Sequence, residues 1–121
     1  MAKRAIVPPA LRAASKDLNM SPAILSGGHI FLTGATGGDL QGPMPDDPEA
    51  QMRHAFDKMT LILEEAGLSL QSTVEMRTYH VGLRDHFETP YPAWTAVEVA
   101  GLRREGAVLE IRAVASSDQD N

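Results

Sequence analysis

Between Ala107 and Ala115 the chain alternates strictly in side-chain character, and that alternation limits what the rest of it can be. Ala107, Leu109, Ile111 and Ala113 fall on one face of an extended strand; Val108, Glu110, Arg112 and Val114 fall on the other. The second face carries a carboxylate and a guanidinium in mid-strand, two residues apart. A carboxylate between apolar neighbours is costly to bury unless it is paired. Two readings of Glu110 stay open: an ion pair on a wet face, with Arg112 or across strands, or a general base or water-orienting group in a pocket. Upstream, residues 94–100 read as another strand, rich in aromatic and β-branched residues. Residues 101–106, with Arg103, Arg104 and Glu105, read as a solvated turn joining the two, and both arginines as exposed turn charges.

The clearest helix covers residues 47–67. Asp47 suits the N-cap, and Pro48 suits the first helical position, where its missing N–H loses nothing. Glu49 suits the positive end of the dipole. Met52, Ala55, Phe56, Met59, Ile62, Leu63 and Ala66 repeat on one helical face, the spacing of core packing, and Gly67 stops the helix. Residues 73–81 form a strand with Val74, Met76, Thr78 and His80 on one face and Glu75, Arg77, Tyr79 and Val81 on the other. Both faces are mixed, as expected of a strand with a helix on one side and a partner subunit on the other. Residues 23–25 and 29–33 are short strands split by Ser26-Gly27-Gly28, which predicts a hairpin. Residues 34–47 read as a connecting loop broken by Gly34, Gly37, Gly38, Gly42, Pro43 and Pro45. The loop lacks the Lys-Ser/Thr of a phosphate-binding P-loop. Residues 1–18 read as an irregular arm with at most a helical turn at 10–14. Pro90 and Pro92 forbid a long helix in residues 82–92, and residues 116–121 read as a frayed tail.

Composition narrows the classes. A chain of 121 residues points to one domain, 1–121, with enough length for one core. There is no cysteine, so disulfides, thiol chemistry and cysteine-type zinc sites are excluded. A net charge of −5 argues against nucleic acid as a partner. The apolar run after Lys3-Arg4 is short and broken by Pro8-Pro9, and nothing approaches a membrane span. The expectation is a cytoplasmic protein with no membrane partner. His29, His54, His80 and His86 stand in no metal-ligand spacing, so no metal is expected. Asp85-His86 reads as a solvated loop pair, and no G-x-S-x-G elbow is present.

Several stretches, taken in order, resemble the RidA/YjgF family. They are S-P-A-I, G-G-H-I-F-L-T-G, D-P-E-A-Q-M-R-H-A-F-D-K-M, L-E-E-A-G, P-A-W-T-A-V-E-V-A-G-L and G-A-V-L-E-I-R-A-V-A, spanning about residues 19–115. The resemblance implies an α+β, chorismate mutase-like fold, with a mostly antiparallel sheet and helices on one face. It implies a homotrimer with a barrel-like centre and a small-molecule pocket at each subunit interface. Active members hydrolyse enamines or imines to 2-oxoacids and ammonia, and no metal or organic cofactor is implied. Glu110 matches the family glutamate that orients water. Thr33 and Gly34 match the hydroxyl and glycine of F-L-T-G, and Thr95 matches the residue after the family's arginine. The arginine itself, which pairs with a substrate carboxylate, is replaced by Trp94 in Pro92-Ala93-Trp94-Thr95. Met20 stands where many members carry tyrosine. Arg112 stands where members often carry an acid, ~6.6 Å along the strand from Glu110, and is a candidate replacement anion site. Between Phe87 and Pro92 the family's second helix is largely absent, and its pocket-facing asparagine with it.

An indole in place of a guanidinium offers a large apolar face and one N–H donor, and no charge for a carboxylate. Three functions follow as expectations. The first is a divergent enamine or imine hydrolase acting through Glu110. The second is a metabolite-binding trimer without turnover, its pocket floored by Trp94. The third, opposed by the acidic balance, is RNA cleavage of the kind ascribed to some family members. Trp94 as plain interface core is the bland alternative.

Overall fold

A computed structural model describes residues 3–38, 43–81 and 93–117. In chain order the elements are β1 (Arg4–Ile6), a 3-10 turn (Pro9–Leu11), α1 (Arg12–Leu18), β2 (Ala23–Ser26), β3 (His29–Leu32) and β4 (Ala35–Thr36). They continue with α2 (Pro48–Glu65), a second 3-10 turn (Leu70–Ser72), β5 (Thr73–His80), β6 (Ala93–Glu98) and β7 (Leu109–Ser116). The expected α+β architecture with a mostly antiparallel sheet is what forms.

The strands make one sheet in the order β1-β2-β3-β7-β5-β6, with β4 also pairing β7. β7 is the hub: β3 covers its C-terminal half, β4 its N-terminal half, and β5 its other edge. Its alternation does what the sequence predicts. Leu109, Ile111, Ala113 and Ala115 are fully buried, while Glu110 and Arg112 are half-buried on the opposite face. On β5, Met76, Thr78 and His80 point inward as expected. Val74 does not, because the β5–β7 register shifts between Thr73 and Glu75 and turns it to solvent. β2 and β3 form the predicted hairpin. Gly27 and Gly28 both have positive φ, 60° and 81°, which a two-residue hairpin turn demands.

The strands flanking the charged turn are not neighbours. β6 runs parallel to β5 (Met76 opposite Trp94, His80 opposite Glu98), and β5 separates it from β7. The link between β6 and β7 passes over the end of β5. There Val99 N donates to His80 O (2.8 Å) and Val81 N to Val108 O (2.9 Å). The long link carries Arg104 across the sheet rather than around a tight hairpin.

α2 begins as the sequence predicts: the Asp47 carboxylate accepts from Ala50 N at 3.3 Å, and Pro48 opens the helix. Ala55, Met59, Ile62 and Leu63 pack against Ile30, Leu32, Ile111 and Ala113 of the sheet, forming the core. Gln51, on the same stripe and also fully buried, was not foreseen in that role. Its Nε2 donates to Pro45 O (2.7 Å) and Gly106 O (2.9 Å), and its Oε1 accepts from Val108 N (2.8 Å). One side chain thus ties the helix start to the loop before it and to the entry of β7.

The N-terminal arm is not irregular. Arg4–Ile6 adds an edge strand to β2, burying only Ile6, and α1 runs two turns to Asn19, whose left-handed backbone (φ 55°) ends it. A three-residue strand has too short a period to show in sequence, and α1, seven residues long with none of them buried, gives hardly more. The readings of residues 82–92 and of the tail from residue 118 fall outside the described residues. No helix among the described residues is long and apolar enough to cross a membrane.

Two outcomes are expected. Gln51→Ala strands three backbone groups and should lower unfolding free energy by roughly 3 kcal/mol, read from urea midpoints at fixed protein concentration. Burial holds the His80 imidazole below its ordinary pKa, an effect Glu98 partly offsets. The folded state therefore favours neutral His80. Its contribution to stability is present above the ordinary histidine pKa of about 6.5 and is lost as pH falls below it, because the unfolded chain takes the proton first. Thermal melts between pH 7.5 and 5 should fall less steeply for His80→Asn than for the parent.

Candidate functional site

Beside the core, α1 and the β3–β4 segment leave a cleft of about 680 Å³, within the range of small-molecule sites. One wall is apolar: Leu11 from the first 3-10 turn, Ala14 and Leu18 from α1, then Met20, with Ile62 from α2. Residues 33–36 line the cleft as well, together with Lys58 and Arg104. Local bonds fix this wall. Thr33 N donates to Pro22 O (2.9 Å) and Thr33 Oγ1 to Ser21 O (2.6 Å). Ser15 Oγ donates to Met20 O (2.6 Å), which holds the exposed Met20 beside the end of α1.

Glu110 reaches this wall from the sheet. Its residue stands opposite Thr36 on β4 and Tyr79 on β5. Its carboxylate lies against the Cα of Gly34. A Cβ built at Gly34 would overlap the Glu110 Oε2 and stand 2.8 Å from Cδ. A side chain at Gly34 would require the Glu110 carboxylate to move, and no unusual φ is needed to account for the glycine. Two more loop glycines serve the same kind of close approach. At Gly37 the chain crosses α2, where a Cβ would lie 2.6 Å from Gln51 O; at Gly38 a Cβ would lie 2.8 Å from an Arg104 Nη.

The residues expected at the site divide into two groups. Met20, Thr33 and Gly34 line the cleft, and Glu110 backs it at Gly34. Arg112 does not line it. It shares the open face of the sheet with Glu110 and stands opposite Arg77 on β5. Like charges opposed across strands are unfavourable. The Arg77 pKa is raised, chiefly by its interaction with the Tyr79 side chain, and the guanidinium is charged in any case. Thr95, exposed, sits opposite Arg77 on the other side, also outside the cleft. The Trp94 backbone lies in β6 opposite Met76; its side chain is outside the description. Sequence reasoning missed Lys58 and took Arg104 for a plain turn charge. Lys58 follows Ala55 by three residues and precedes Ile62 by four, so the helical stripe itself placed it at the edge of the buried face. Arg104 was legible only through the sheet order. No group of three or more histidine or acidic side chains that could hold a metal forms among the described residues.

The family model described as Endoribonuclease L-PSP matches residues 12–117. The chain belongs to the RidA/YjgF family. A RutC family protein of Escherichia coli, YjgH, is 29% identical over 93% of this chain and 94% of its own length. A RutC family protein of Pyrococcus horikoshii is 30% identical over 78% of this chain and 84% of its own. Among solved structures, protein YjgH superposes with a TM-score of 0.83 at 27% identity, over 96% of this chain and 97% of that one. RidA from an Antarctic Psychrobacter gives 0.71 at 29% identity, over 79% and 86%. The RidA/YjgF fold thus extends over almost the whole chain, including the N-terminal elements.

Gly34→Ala should test the Glu110 packing directly. The new methyl group must displace the carboxylate, so the Glu110 Cδ resonance should move, and stability should fall by about 1–3 kcal/mol from overpacking. An unmoved resonance would contradict the contact.

Proposed function

We propose that this RidA/YjgF protein is a divergent hydrolase of a small enamine or imine, working as a homotrimer with its pockets at the subunit interfaces. The observation that carries the reading is the Glu110 carboxylate packed on Gly34, at the wall of a cleft that Thr33 and Met20 also line. An enamine first takes a proton from solvent on its carbon and becomes the imine; a carboxylate there then accepts a proton from water as the water oxygen attacks the C=N carbon. The C–N bond then breaks, the nitrogen leaves protonated as ammonia, and a carbonyl compound remains. Hydrolysis of this kind needs no redox partner. A structure of the same fold, Escherichia coli TdcF, carries bound serine, which supports a small metabolite as ligand.

A second reading has its own support. By the resemblance, Trp94 stands where the family's arginine holds a carboxylate, and this favours a metabolite-binding trimer without turnover. The RNA cleavage suggested by the family model's description is opposed by the net charge of −5.

Imines generated in situ by an amino-acid oxidase, with ammonia release followed continuously, separate the first two. The hydrolase reading expects Glu110→Gln to reduce the rate by about 10²–10⁴-fold, the usual contribution of a positioned acid–base group. Quenching of the single tryptophan by ligands that yield no product would establish the binding reading instead.

A further inference from the structure

We propose that Lys58 and Arg104 form the anion-binding end of the cleft, gripping a carboxylate or phosphate group of the ligand in place of the arginine whose position Trp94 fills. The inference rests on the cleft being the ligand site, as proposed above.

Two cations and no acid are among the described residues lining the cleft, in a chain where acids outnumber lysines and arginines 16 to 11. They come from distant parts of the sequence and converge on the same three residues. Lys58 Nζ donates to Thr36 O at 2.8 Å. The Arg104 guanidinium lies over Gly38, where an added Cβ would stand 2.8 and 2.9 Å from its two Nη atoms. Between them, His54 Nδ1 is 3.1 Å from Gly37 O. His54 and Lys58 are one helical turn apart, so they rise from the same edge of α2. The β6–β7 link crosses the end of β5 and delivers Arg104 to this place. A guanidinium fork and an ammonium lining one cleft suit an oxyanion, the fork supplying direction and the ammonium charge.

The arrangement also polarises the cleft. Glu110 meets the wall at Gly34, and Lys58 meets it at Thr36, two residues further along an extended segment, about 7 Å. A ligand that spans both ends carries its anion several bonds away from the carbon that reacts. Leu11, Leu18, Met20 and Ile62 supply apolar lining to the same cleft.

Heteronuclear NMR titration of the full chain with inorganic phosphate, and separately with levulinate, tests this. Levulinate has its carboxylate three bonds from its carbonyl carbon. Both probes should shift the Gly37 and Gly38 amides, and levulinate alone should also shift Gly34. Arg104→Gln and Lys58→Gln should each weaken levulinate binding about tenfold, as expected for losing one charge-assisted contact. Lys58→Arg should restore most of it, which separates loss of charge from loss of packing. If both glutamine variants bind like the parent, or if neither probe shifts Gly37 and Gly38, the proposal is overturned. Binding that depends on Lys58 and Arg104, without ammonia release from any imine, would keep this site and sink the hydrolase reading. Glu110-dependent turnover indifferent to both cations would do the reverse.

Discussion

The pairing register of β7 is the constraint on which the rest of the molecule depends. Side chains alternate with a period of two, so a slip of one residue would drive Glu110 and Arg112 into the core and turn Leu109 and Ile111 to the outside. Burying two charges without partners is far more unfavourable than any single apolar contact in the core is favourable. β3, β4 and β5 all read their positions from this one strand. The Gln51 amide guards its entry. By holding Val108 N and Gly106 O at once, it fixes where the strand begins relative to α2.

What could be read from the amino acids depended on how local the signal was. The Asp47-Pro48 start of α2, the Gly27-Gly28 hairpin and the two faces of β7 are written in neighbouring residues, and the structure has them as expected. β1 and β4 are three and two residues long, below the length at which a period shows. The position of β6 on the far side of β5 is a property of the whole sheet, and nothing in residues 94–115 encodes it. Gln51 stood on a visible stripe but is polar, and a rule that looks for apolar residues passes over it.

The candidate site divides the same way. Met20, Thr33 and Gly34, picked out by the order of family motifs, line one cleft, and the Glu110 carboxylate lies behind its wall against Gly34. Arg112, chosen because it lies near Glu110 along the strand, faces Arg77 instead. Proximity along a strand is a poor guide to a shared cavity when the cavity is built between a sheet edge and two helices. Lys58 and Arg104 are 46 positions apart in numbering, and only the crossing of the β6–β7 link brings them together. An indole at position 94 therefore need not mean a cleft without charge. The positive groups are supplied from other elements.

The contact between Gly34 and Glu110 binds the histories of two positions. While an acid of this length occupies 110, any side chain at 34 must push the carboxylate from its place, so keeping the acid there favours keeping the second position bare. A lineage that shortens 110 to serine or alanine removes the obstacle, and position 34 then drifts freely. Across related genes, glycine at one position should accompany glutamate at the other more often than chance would pair them.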